Sequence, residues 1–273
     1  MPEVTTRNAV YLFCIARTSS LQTIEGTGLD DRNLLFLHSF MDITAVASFV
    51  GIEEFCGPAA ESGLQDISWV GPRACRHEEV VEQVMRRSPV LPVRFGTIFS
   101  SLESLEKRLC EHHGRISGFL EEVADKEEWA VKGLLDRTKA REEIRGELVA
   151  GEAEYLASLS PGIRYLHEQR ILADSEKELR VWLTEVSKEI ASDLNSFALN
   201  FSERRVRSRD VTGDDRDMLF NWAFLLARSS ARDLRARIDR ANRDYARRGL
   251  VFRLSGPWPP YSFSPSLEAG TET

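Results

Sequence analysis

Catalytic signatures are what this chain most clearly lacks. It has no P-loop, no GxGxxG turn and no GxSxG elbow, which leaves nucleotide-dependent and serine-hydrolase chemistry without a motif. His77-Glu78-Glu79 does not open an HExxH helix, because the fifth position is Val81. Cysteine is scarce, and Cys14, Cys56, Cys75 and Cys110 form no CxxC pair. That usage suits a reducing cytoplasm better than a disulfide framework. No apolar run approaches the roughly 18 residues of a membrane span. The opening MPEVTTRNAV has no basic stretch followed by an apolar one, so no secretory signal is expected. Cys110, His112 and His113 lie close together, but adjacent helical residues diverge by about 100° and share a metal poorly. No metal, cofactor or catalytic residue is therefore expected, and no single His or Cys should be indispensable.

What is present suits a soluble globular protein. With 273 residues, 42% hydrophobic and 29% charged, the chain can bury a substantial core as one large or two modest domains. Charge is unevenly spread. From Glu203 to Arg253 there are fourteen arginines, no lysine and eight acids, a net +6 within a chain of −7, which leaves −13 elsewhere. Such asymmetry fits either a polyanion partner or two parts that face each other.

The segment Ser88 to Phe99 anchors the N-terminal half. Pro89 and Pro92 hold their predecessors extended and exclude a helix, and Val90, Leu91, Val93, Phe95, Ile98 and Phe99 supply strand-forming bulk. Proline confines such a strand to a sheet edge or to its start. Arg94 is the run's single charge, and it is expected to be at least half buried against a carboxylate or carbonyls. Gly96 permits a bend. Before this segment the pattern predicts a strand over 9–16, a hairpin over 34–50, turns at Gly57-Pro58 and Gly71-Pro72, and a helix over 74–87. After it comes a helix capped by Ser100 or Ser101 and running to Val123.

A strand around Trp129 to Leu135 opens the second half. Helices are predicted over 137–159 and from Ile163 towards Phe197, the latter with a seam of Leu179, Leu183, Val186, Ile190, Leu194 and Phe197. Strands at 197–206 and 219–227 flank Gly213, and a helix over 229–248 and a strand over 250–254 close the series. This order fits an α+β ferredoxin-like unit with a long helical insertion. The domains expected are 1–125, 126–263 and a polar tail, 264–273. In the Arg-rich helix, Asp233/Arg237, Asp239/Arg243 and Asp244/Arg248 stand acid-first at i,i+4. That is the pattern of a self-paired solvated face rather than a nucleic-acid site. Beyond it, Gly256 to Phe263 sets three prolines among Trp258, Tyr261 and Phe263. The path is expected to be extended and strapped against the second domain, with Trp258 mostly buried.

Five stretches, HEEVVEQV (77–84), VLPVRFGTIFSS (90–101), EEWAVKGLLD (127–136), PGIRYL (161–166) and GPWPPYSF (256–263), occur in an order that resembles the gas vesicle protein GvpF/GvpL family. The resemblance spans nearly the whole chain. It implies a two-domain α+β protein whose second domain is a modified ferredoxin-like fold bearing long helices. It also implies a non-enzymatic accessory role in building gas vesicles, in the cytoplasm and at the vesicle, with the hydrophobic shell protein and other vesicle proteins as partners. Binding of nucleic acid through the Arg-rich helix is the alternative. Arg94, Phe95, Gly96, Trp129, Tyr165, Trp258, Tyr261 and Phe263 are the candidates for structural or partner-contact roles. The seam of the long helix serves either to cover an apolar shell subunit or to pack wholly against residues 137–159.

Overall fold

A computed structural model describes residues 8–55, 62–206 and 215–267; Cys56, Gly57-Pro58 and Gly213 lie outside them. The chain is a mixed α/β protein that divides into two compact units, one of residues 1–127 with 258–273, the other 128–257.

In the first unit β1 (Asn8–Arg17) lies between two partners. On one side the hairpin β2 (Leu35–Phe40) and β3 (Ile43–Gly51) adds antiparallel strands, on the other β4 (Val90–Pro92) and β5 (Ile98–Phe99) both pair with β1. A bulge between Leu12 and Cys14 shifts the β1–β3 register, as one inserted residue does. Every residue of β1 from Ala9 to Ala16 is buried, which an all-apolar strand predicts. A helical turn, α1 (Ile52–Phe55), follows β3, and α2 (Ile67–Met85) and α3 (Leu102–Glu122) both contact β1.

Three local expectations are revised. The second helix begins at Ile67 rather than Ala74, because the Asp66 side chain accepts from the Ser68 N–H as its N-cap. Pro72 therefore sits inside the helix, and the nearby Trp69 carbonyl accepts from the Arg73 guanidinium at 3.0 Å. The run after Pro89 is not one strand but two short ones at the sheet edge, split by a turn at which Gly96 has φ +87°. Ser101 is the cap of α3, exchanging hydrogen bonds with Ser104 as a capping box.

The second unit is a four-stranded sheet with helices. Its elements are β6 (Lys126–Leu135, whose first two residues count with the first unit), α4 (Arg137–Gly151), α5 (Ala153–Ser158), α6 (Pro161–Asn195), β7 (Asn200–Glu203), β8 (Asp217–Ala227), α7 (Ala231–Tyr245) and β9 (Leu250–Trp258). The strands lie in the order β7-β8-β6-β9, with β7 and β8 antiparallel. The helix expected over 137–159 is broken at Glu152 into α4 and α5. Gly249 turns the chain out of a short 3-10 extension of α7 at φ +76°.

The core of this unit joins Trp129, Val131 and Leu135 of β6 to Phe220, Trp222 and Phe224 of β8 and to one face of α6. Gly133 has a role that the sequence does not announce. A Cβ there would meet the Phe220 ring at 2.3 Å, and that ring stacks on Trp222 with centroids 3.7 Å apart.

The tail is also revised. The last strand continues past Leu254 to Trp258 at a sheet edge, where proline is tolerated. The chain then turns at Pro260–Phe263 and packs with the first unit, not the second. Anchoring by Tyr261, described next, is the reason.

Candidate functional site

Three of the five unusual stretches meet in the first unit. His77 of α2 is 2% exposed. Its Nε2 lies 3.1 Å from the Val93 carbonyl, and a carbonyl only accepts, so Nε2 carries the proton. Nδ1 then accepts from the Tyr11 hydroxyl at 2.8 Å, and the Tyr11 oxygen accepts from the Gly96 N–H at 3.1 Å. Every polar atom in this relay is paired. Phe13 stacks on the imidazole and Phe95 meets it edge-on. Burial holds His77 neutral, its pKa lowered from 6.5 to about 4, with the Val93 hydrogen bond opposing. Burial likewise raises the Tyr11 hydroxyl above its ordinary value. One residue further along α2, Glu78 accepts from the Tyr261 hydroxyl at 2.9 Å. Burial raises the Glu78 pKa, opposed by that hydrogen bond, and burial followed by the Glu78 charge raises that of Tyr261.

The arrangement assigns roles to several sequence candidates. Phe95 and Gly96 are held by the relay, Tyr261 anchors the tail, and Trp258 and Phe263 are partly buried. Arg94 lies in the turn between β4 and β5 and is classed as exposed. Its carbonyl accepts from the Thr97 hydroxyl at 2.7 Å. Trp129 is 2% exposed in the second unit, with the Arg235 guanidinium 4.7 Å from its ring. Gly256, at φ +137°, packs on that ring so closely that a Cβ would stand 3.0 Å from it. Neighbouring Glu128, fully buried, pairs with Arg204. Nothing in the spacing singles out His77 or Glu78. Tyr11 carries the one available signal, since a phenol in a strand buried on both faces requires a partner for its hydroxyl.

The fourth stretch behaves differently. Ile163, Tyr165 and Leu166 of PGIRYL are 55%, 61% and 67% exposed. They occupy the first turns of α6, which is held to α5 from another side by Arg164 donating to the Leu156 carbonyl and by the pair His167–Glu152. Tyr155 of α5 is exposed beside them, its ring 5.2 Å from that of His167. Of the two alternatives for the seam, packing inside the chain is the one observed, on α4 and on the sheet residues of the same core. Leu179, Val186, Ile190 and Leu194 are buried in the unit's own core, with Leu183 and Phe197 packed against it. A helix packed on the core of its own unit satisfies its apolar stripe there, while Ile163, Tyr165 and Leu166 in its first turns stay exposed.

The Arg-rich helix is also engaged within its unit. Arg237 pairs with Asp193 of α6, Arg247 with Glu143 at 3.0 Å and Arg248 with Glu147 at 2.5 Å. Arg237 and Arg248 thus reach across to neighbouring helices rather than to Asp233 and Asp244, as long guanidinium side chains can. Both also lie over rings, those of Phe197 and Trp182.

Among the described residues no cluster of three His, Cys, Asp or Glu is placed to hold a metal, and no helix is long and apolar enough to cross a membrane. His113, one of the histidines weighed as a ligand, is hydrogen-bonded to Asp42 at 2.6 Å.

Two antiparallel-sheet units, a buried aromatic relay and exposed apolar residues in the first turns of α6 define a mixed α/β protein. The chain belongs to the family described as gas vesicle synthesis protein GvpL/GvpF, whose model matches residues 9–265. It is 26% identical over 277 aligned residues to gas vesicle protein L2 of Halobacterium salinarum, covering 94% of this chain and 91% of that one. It is 23% identical over 223 residues to gas vesicle protein L of a Streptomyces species, covering 82% and 80%. The fold is similar to that of gas vesicle protein GvpF from Anabaena, with a TM-score of 0.67 at 18% identity over 95% of this chain and 97% of the other. GvpF from Microcystis aeruginosa gives 0.65 at 16% identity over 94% and 99%.

Proposed function

We propose that this protein is a non-enzymatic accessory factor in gas vesicle assembly that binds the hydrophobic shell protein and other vesicle proteins, in the cytoplasm and at the growing vesicle. One observation carries the choice of surface. Of the stretches that resemble the family, those at 77–101 and 256–263 are taken up in holding the fold, whereas Ile163, Tyr165 and Leu166 stay in solvent. Large apolar side chains clustered in solvent at a helix end serve as anchors for another protein. A shell subunit exposes apolar surface before it is built into a wall, and a tip of this kind can cover it and limit aggregation. The second unit is read as a modified ferredoxin-like fold. Supporting this, its β-α-β-β-α-β order has the last strand beside the first and the first beside the third, with α4 to α6 as the enlarged first crossover.

Co-purification with the shell protein tests the reading. An Ile163→Asp, Leu166→Asp double variant is expected to melt like wild type and to retain less than a tenth of the captured shell protein. Undiminished capture by a folded double variant would refute the tip as the contact.

A further inference from the structure

The sheet of the first unit ends at β2, and that edge is open. Met41 and Asp42 make a two-residue loop between Phe40 and Ile43. In such a hairpin Phe40, His38 and Phe36 bond to β3, whereas Leu35, Leu37 and Ser39 turn their backbone N–H and C=O groups outward. The Leu35 N–H donates to the Gly26 carbonyl at 3.0 Å. Among the described residues none pairs with the outward groups of Leu37 and Ser39. Sheet edges are usually blunted by proline, lysine or a bulge. The opposite edge strand, β4, follows Pro89 and ends on Pro92. Asn33 to Met41, by contrast, contains no proline, lysine, arginine or carboxylate, and β2 pairs with β3 without a bulge. Leu34 and Met41, at its two ends, are 71% and 72% exposed.

The placement of the open groups selects the occupant. Leu37 and Ser39 stand on either side of His38, so a two-fold axis through His38 sets Leu37 of one copy opposite Ser39 of the other. Each such pair exchanges two backbone hydrogen bonds. The same axis faces Phe36 with Phe40, an aromatic cross-strand pair. It also brings Met41 to the end of the other β2 at which Leu34 is exposed. His38, on the axis, keeps Glu106 of its own chain beside it at 3.8 Å. We propose that two copies of this chain pair antiparallel through β2, joining their sheets into one across an isologous contact. Stable dimers bury about 1,200–2,000 Å², more than two six-residue strands supply, so the association is weak and concentration-dependent. The edge belongs to the first unit, and the inference does not rest on the role proposed for the end of α6.

Sedimentation equilibrium of the full chain tests this. A monomer–dimer equilibrium is expected, with a dissociation constant on the order of 100 µM. Ser39→Pro removes an outward N–H while leaving every backbone bond to β3, and should weaken dimerisation at least about tenfold. Ser39→Lys, a natural edge guard, should do the same and serves if proline disturbs the hairpin. Disulfide trapping reads the register, in a chain carrying Cys56→Ser, Cys75→Ser and Cys110→Ser. His38→Cys places two thiols opposite each other across the axis, so diamide should oxidise them to an intermolecular disulfide. Ser39→Cys faces Leu37 instead and should link at least about tenfold less. A chain that stays monomeric to about 500 µM would overturn the proposal and leave the edge to a strand of another protein. So would undiminished dimerisation of a folded Ser39 variant, or equal linking at positions 38 and 39.

Discussion

Tyr11 and His77 show how much one buried polar pair can fix. Their hydrogen bonds join β1, α2 and the turn after β4, and the surroundings are aromatic. Tyr11→Phe keeps the ring but strands the Gly96 N–H and the His77 Nδ1. The expected cost is about 1–3 kcal/mol for buried groups left unpaired, measurable as a lower urea midpoint with an unchanged m-value. His77 adds a pH dependence of defined sign. Its pKa in the fold, about 4, lies below its ordinary 6.5, so the stability it contributes is complete above about 6.5 and lost as pH falls towards 4. The shift corresponds to about 3 kcal/mol. Glu78 acts in the opposite sense, since a raised carboxyl pKa makes its contribution greatest in acid and smaller as pH rises. Comparing wild type with His77→Leu isolates the imidazole: the difference in unfolding free energy between pH 7 and pH 4 should shrink by most of that amount. Equal pH slopes for the two proteins would contradict the assignment.

At the scale of elements, the regular patterns were legible and the exceptions were chemical. The strand at 9–16, the hairpin after it and the long helix follow from period and composition, because each buries one continuous apolar face or two. Pro72 misleads because an N-cap four residues before Val70, the Asp66 carboxylate, starts the helix in spite of it. The apolar seam of α6 is legible from its period, but period alone leaves its surface open, since it cannot distinguish elements of the same chain from a partner. The relay was hidden because His77 and Gly96 are far from Tyr11 in sequence and near it only after folding. Gly133 was equally silent, a small residue whose meaning lies in the ring opposite it. Gly133→Val should overpack β6 against Phe220 and destabilise the second unit by about 1–3 kcal/mol. Adding Phe220→Leu should return part of that loss, a coupling that thermal unfolding of the four proteins in the cycle would reveal. Additive effects would mean that the introduced valine side chain finds space elsewhere.

For the whole molecule, the uneven charge finds its explanation inside one unit. Arginines of the +6 region meet Asp193, Glu143 and Glu147, so the basic segment is answered by acidic helices of the same fold. Affinity of the full chain for duplex DNA or RNA at about 150 mM salt should accordingly be no tighter than the non-specific range of roughly 10⁻⁴ M or weaker. A tight complex that weakens steeply with salt would restore the nucleic-acid alternative. Within the family pattern, Ile163, Tyr165 and Leu166 stay exposed, which separates two kinds of residue: those that make the fold and those that the fold presents. Counting gas vesicles in cells that carry the Ile163→Asp, Leu166→Asp chain as their sole copy, alongside its melting temperature and soluble level, tests that separation most directly. The account predicts melting and abundance within error of wild type with vesicles absent or few; a wild-type number of vesicles from that chain would contradict it.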